Sequence, residues 1–224
     1  MRLVLLMVAL FIGVQSIAQD DIEKTIGDFN ELKVYDLINV TLVKANTSKA
    51  VISGDHKSDV EVINKNGTLK IKMRLGEKFD GNKTNVTLYY QEIDVIDVNE
   101  GAYVTSEETF KQHKIQLRAQ EGGVIKLNLN VTENEVKAVT GGEVQVDGEA
   151  IRQDITINTG GIFSGKTLES ESTYVAIRAA GEAHINASKL ADIKIRAGGD
   201  VFVYGKPEKV NESKVLGGRI KLMN

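Results

Sequence analysis

Along the second half of the chain, apolar and polar residues alternate one by one, and the alternation restarts at regular intervals on a pair of glycines. The pairs are Gly122-Gly123, Gly141-Gly142, Gly160-Gly161, Gly198-Gly199 and Gly217-Gly218, with Gly101-Ala102 and Ala180-Gly181 as one-sided members. From the first position of each pair to the next, the steps are 21, 19, 19, 20, 18 and 19 residues. Two positions after the second glycine stand Val104, Ile125, Val144, Phe163, Ala183, Val201 and Ile220, and every next residue (Thr105 through Lys221) belongs to an intervening column. Before each corner, Ile96, Leu117, Val136, Ile155, Val175 and Ile193 form one apolar column and Val98, Ala119, Ala138, Ile157, Ile177 and Ile195 another. Period-two alternation predicts strands with one buried face.

Each repeat therefore reads as strand, glycine corner, strand and a looser return. A period near 19 residues marks a solenoid, because one coil cannot cover its own apolar face and must stack on its neighbours. The paired glycines suit a tight corner that needs positive φ. Glycines that merely link hairpins of an antiparallel sheet are the alternative; like residues recurring in columns over six coils favour the solenoid. The expected fold is all-β, a β-helix of six to seven coils over 96–224. An irregular β region over 19–95 caps or continues it, the two forming one continuous domain.

In that first region Phe29, Leu32, Val34 and Tyr35 begin a strand, and Val40 and Leu42 alternate about Thr41. Ala50 to Gly54 reads as a short strand. Val60 and Val62, the Asn66-Gly67 turn signal, and Leu69, Ile71 and Met73 read as a hairpin. Gly76 to Thr84 reads as a charged loop, and Val86, Leu88 and Tyr90 as a further strand. The stretch from Gln19 to Ile26 is polar and expected to fray.

The chain opens with Met1-Arg2, an apolar run from Leu3 to Val14, and Ser16-Ile17-Ala18 before Gln19. A charged start, a short apolar stretch and small residues before the cut describe a secretory signal peptide over 1–18. The apolar run is short of the roughly 20 residues of a membrane span, so no transmembrane segment is expected once the signal is removed. The protein is expected to be exported, to the periplasm or the cell surface. Without cysteines there are no disulfides, thiolate metal sites or cysteine nucleophile, and no lipid attachment through an N-terminal cysteine. A net charge of −3 does not suit a nucleic-acid binder.

Three features together, namely Phe29-x-x-Leu32-x-Val34, Gly67-Thr68-Leu69-x-Ile71 and the Gly-Gly coils, make the chain resemble the DUF2807 family, the putative auto-transporter adhesin head GIN domain. The likeness runs from about Phe29 to Leu222. It implies a β-helix with tight glycine turns between its sheets and an adhesion role, and it implies no catalytic residue.

Candidate chemistry is sparse. His56, His113 and His184 lack metal-ligand spacing, and no cofactor or metal is expected. Asp94, Asp97, Glu100 and Glu121 lie near the start of the array, while Glu143, Glu182 and Asp200 share a column; carboxylates could serve as acid and base or hold calcium. Against that stands a plain solvated strand face. On the strand before the corner, Arg118, Lys137, Arg178, Lys194 and Arg196 face outward and would stack into a basic stripe for an acidic glycan or lipid headgroup. These residues point to a non-enzymatic binding or structural module whose partner is a surface glycan or an envelope protein. A pectate-lyase-like polysaccharide-degrading enzyme and a purely structural envelope part are the rivals.

Overall fold

The computed structural model describes residues 21–223; the expected signal peptide lies outside them. Sixteen strands follow in order: β1 (Ile22–Thr25), β2 (Glu31–Val34), β3 (Asn39–Lys44), β4 (Lys49–Gly54), β5 (Val60–Lys65), β6 (Thr68–Met73), β7 (Thr84–Tyr90), β8 (Val95–Val98), β9 (Tyr103–Gln120), β10 (Val124–Val139), β11 (Glu143–Asn158), β12 (Ile162–Ile177), β13 (Glu182–Ala197), β14 (Asp200–Tyr204), β15 (Lys209–Leu216) and β16 (Arg219–Leu222). They build a β-solenoid of about seven turns.

The coils lie in parallel register, one repeat apart. Val104, Ile125, Val144, Phe163, Ala183, Val201 and Ile220 are consecutive Cα partners from β9 to β16. Leu117, Val136, Ile155, Val175 and Ile193 are likewise partners from β9 to β13. From Val104 to Val201 and from Leu117 to Ile193, every member of these two runs is buried. The space is filled unevenly along the axis. Phe163 is fully buried, and the neighbouring position must be Gly165, since a Cβ there would sit 2.5 Å from the Phe163 ring.

The return is not loose. A single strand of 16 residues runs from corner to corner in each of β10 to β13. In β10, Ile125, Leu127, Leu129 and Val131 are buried, then Asn134, Val136 and Ala138. The inward phase shifts by one residue at Thr132-Glu133, so the chain bends back without leaving the ladder. Inside this bend Asn134, Gln153 and Thr173 form a buried polar column, with Asn134 donating to Gln153 (3.5 Å) and Gln153 to Thr173 (3.2 Å).

The two glycines of a corner do different jobs. At Gln120-Glu121-Gly122-Gly123 the Gly123 N–H donates to the Gln120 carbonyl at 2.9 Å, with φ of 52° at Glu121 and 75° at Gly122, a type I′ turn. Positive φ therefore falls on the first glycine and on the residue before the pair. The second glycine is demanded by proximity instead: a Cβ on Gly142 would lie 2.1 Å from the Ala119 carbonyl oxygen of the preceding coil. From the Ala180-Gly181 corner onward positive φ falls on both members of the pair instead, with 130° at Gly181, 112° at Gly199 and 96° at Gly218.

The first 75 described residues both continue the array and close it. β2 and β3 make a coil that stacks on β8 and β9, and β6 and β7 make the coil beyond it. Antiparallel β5 then covers β6, while β4 and β1 cover β7. The residues expected to fray instead include β1, anchored where Lys24 Nζ donates to the Val60 carbonyl at 2.8 Å. The hairpin at Asn66-Gly67 forms as expected, with φ of 53° and 79°.

The corner geometry predicts an asymmetric response to mutation. Gly142→Ala should cost about 3 kcal/mol in urea unfolding, because backbone must move. Gly141→Asn, at φ 71° with nothing within 4 Å of a new Cβ, should cost no more than about 1 kcal/mol.

Candidate functional site

The five expected basic residues face outward but do not form one stripe. Arg118 and Lys137 are direct partners on β9 and β10. Thr156 and Ala176 then occupy the column before Lys194. Arg178 and Arg196 belong to a different column, each following the paired Ile177 and Ile195 by one residue. Arg118 donates to Gln116 Oε1 at 3.0 Å, and Lys194 lies 3.5 Å from an Asp192 carboxylate oxygen.

The candidate carboxylates are dispersed as well. Asp97 lies between the inward Ile96 and Val98, where alternation predicts an outward side chain, yet it is 6% exposed, since β2 stacks over it and brings Lys33 to 3.6 Å. Asn99 and Gln120 each donate to its Oδ1 at 3.0 Å. Ile162 separates Glu143 from Glu182 in their column. Asp200 accepts from Nε and Nη2 of the Arg219 guanidinium, at 2.7 and 2.6 Å, which lowers its pKa. Among the described residues no group of three or more acidic, histidine or cysteine side chains is placed to hold a metal.

His184 does face outward as expected. Its ring stacks on Phe202, centroids 4.6 Å apart and planes 11° off parallel, and its Nε2 lies 2.7 Å from Glu182 Oε1. Rings stacked along the axis cover one another's faces, so this ladder offers edges rather than an open platform for a sugar ring.

The feature that stands apart is a groove of about 710 Å³ at the return bend, crossing β9 to β13. It arises where the ladder is interrupted: register shifts occur between Gln145 and Gly148, between Ser164 and Glu169, and between Ser170 and Ser172. Bulges re-aim side chains in this way. Asn130, Glu149 and Glu169 are successive Cα partners on β10, β11 and β12, and all three are exposed. Thr132 and Ile151 lie beside them, Ile151 with 52% of its surface open. Sequence reasoning missed this site, because its residues sit in the stretch that reads as an unpatterned return. A second cavity of about 710 Å³ lies near Phe29 and Lys44; among its lining residues Gln91 donates to Asp28 at 3.0 Å and Lys44 Nζ sits over the Tyr90 ring.

One carboxyl among the described residues is held above its ordinary value. Burial raises the Glu100 pKa, and the neighbouring Asp36 carboxylate adds to the effect. Asp36 is buried and accepts the N–H groups of Met73 (3.0 Å) and Phe79 (3.3 Å). Glu100 stands in a glycine corner, not in the groove.

This fold and its corners define a class. Residues 28–207 match the DUF2807 family, described as putative auto-transporter adhesin, head GIN domain, and the chain belongs to that family. A putative adhesin from Bacteroides fragilis superposes with a TM-score of 0.83 at 18% identity, covering 91% of this chain and 96% of that one. A putative adhesin from Parabacteroides merdae gives 0.71 at 17%, covering 92% and 96%. A protein from Parabacteroides distasonis described as a putative lipid binding protein gives 0.68 at 14%, covering 92% and 98%. At these identities the likeness establishes the fold. No curated protein matches the chain.

The raised Glu100 pKa has a stability consequence. A carboxyl raised on folding supports the fold when protonated, and that support is lost as pH rises through its folded value. Glu100→Gln should therefore raise the melting temperature at pH 7 to 8 and leave it unchanged near pH 4. Equal melting shifts at both pH values would contradict this.

Proposed function

We propose that the protein is an exported, adhesin-like binding module of the cell envelope, and that the return groove is its ligand surface. Support for the coarser part comes from the family and from the adhesin descriptions of its structural neighbours. The groove carries the finer part. No hydrogen bond or ion pair occupies the side chains of Asn130, Thr132, Glu149 or Glu169 within the protein, whereas Glu171 in the same groove is paired with Lys189 at 2.8 Å. Repeated amide, hydroxyl and carboxylate groups, one coil apart at about 4.8 Å, beside an apolar side chain at Ile151, suit a polyhydroxylated chain lying along the axis. That chain is a neutral or amino-sugar glycan, since Glu149 and Glu169 would repel an acidic one.

The pectate-lyase-like rival needs two or three carboxylates converging in a cleft with a calcium or basic partner. Among the described residues no group of three or more acidic, histidine or cysteine side chains is placed to hold a metal, and no lysine or arginine lines the groove. A glycan array followed by calorimetry tests the reading. Binding of a neutral or amino-sugar glycan should weaken at least about ten-fold in Asn130→Ala/Glu149→Gln and persist in Arg178→Glu/Arg196→Glu. Binding lost only in the arginine variant would move the site to the basic residues. Binding of lipid vesicles without any glycan would replace this reading with the lipid one, and cleavage of the glycan would make the protein an enzyme.

A further inference from the structure

The two ends of the solenoid are finished differently. At the first end Ile26 and Phe29 are buried, Lys24 ties β1 to Val60, and Asn64 Nδ2 donates to the carbonyls of Gly27 and Asp28 at 3.0 and 2.9 Å. At the other end the last coil, β15 and β16, pairs only with β13 and β14, so both strands present an unpaired edge among the described residues. Val215 and Leu216 are each 71% exposed there, and Leu222 is 54% exposed. Among the described residues, three of the seven large exposed apolar side chains thus belong to one coil of the array. An edge of this kind is a template for a further strand.

The columns say which strand fits. Ile193 pairs with Glu212 and Ile195 with Lys214, so the two inward apolar columns end on β15 in a glutamate and a lysine. Inward charges on an edge ordinarily block pairing. Here they have opposite sign and lie two residues apart, so one register sets each against the opposite charge of the other copy. If β15 meets a second copy of itself antiparallel about a two-fold axis, inward residues face inward residues only when their numbers sum to an even value. Centring the pair on Glu212 or on Lys214 places like charges opposite. Centring it on Ser213 places Glu212 against Lys214 of the second copy, twice over, and Val210 against Leu216. Cross-strand pairs of opposite charge and of apolar residues stabilise antiparallel sheets, and like charges oppose them.

We propose that this end is a self-association surface, on which two copies of the chain join through antiparallel β15 strands in the Ser213-centred register. The joint is isologous and closed, so it makes dimers and not fibres. It fuses two solenoids into one with a groove on each half, and the covered first end stays free in both. This inference does not depend on the ligand assigned to the groove.

Sedimentation of the full chain, with far-UV circular dichroism to confirm folding, tests the joint. The wild type should be a dimer. Glu212→Lys sets lysines opposite one another and should raise the dimer dissociation constant at least ten-fold. Lys214→Glu sets glutamates opposite one another and should do the same. The double swap Glu212→Lys/Lys214→Glu restores both pairs and should recover the dimer. A monomeric wild type, growth into larger species, single variants as dimeric as the wild type, or a folded double swap that stays monomeric would each overturn the proposal.

Discussion

The structure rests on the close approach of one backbone to the next at the glycine corners. Where Gly123, Gly142 and Gly161 pass the carbonyls of Val98, Ala119 and Ala138, a Cβ would come within 2.1 to 2.3 Å. That contact fixes the phase of each coil against the last, and phase is what makes like side chains superpose. Once Ile125 lies over Val104 and under Val144, each fully buried apolar side chain contributes about 1.5–3 kcal/mol. A slip of one residue would turn the whole column out to solvent.

The same spacing organises the surface. Lys114 reaches Glu133 and Glu135, Lys189 reaches Glu171, and Arg219 reaches Asp200, all between neighbouring coils. Such exposed pairs are worth no more than about 1 kcal/mol each, but they consume charge that would otherwise face a partner. The expected basic face is accordingly broken up: Arg118 and Lys137 stand apart from Lys194, which has Asp192 beside it. At Asn130, Glu149 and Glu169, where the ladder is disturbed by bulges, polar side chains stay exposed without a partner in the protein.

Chain order and spatial order part company at the first end. The coil of β2 and β3 lies between the coil of β6 and β7 and that of β8 and β9, although β6 and β7 come between them in sequence. The consequence is a cover of antiparallel strands over the parallel array and a buried Asp97, which becomes part of the packing of β2 on β8. Among the described residues the last coil has no such cover.

Much of the fold was legible in the residues themselves. Spacing of the glycine pairs, two buried columns on either side of each corner, and the Asn66-Gly67 hairpin all follow from local periodicity and turn chemistry, which act over a few residues and repeat. The outward position of His184 followed from the same alternation. The sequence alone thus determined an array of stacked strands, its corners, and which faces are apolar. It did not determine the continuous return strands, the polar column of Asn134, Gln153 and Thr173, the insertion of the first coil between later ones, or the groove. Those depend on which strand a residue meets across the ladder, and strand pairing couples residues far apart in the chain. Tertiary structure alone decided where the ladder breaks and which polar groups are left unpaired there.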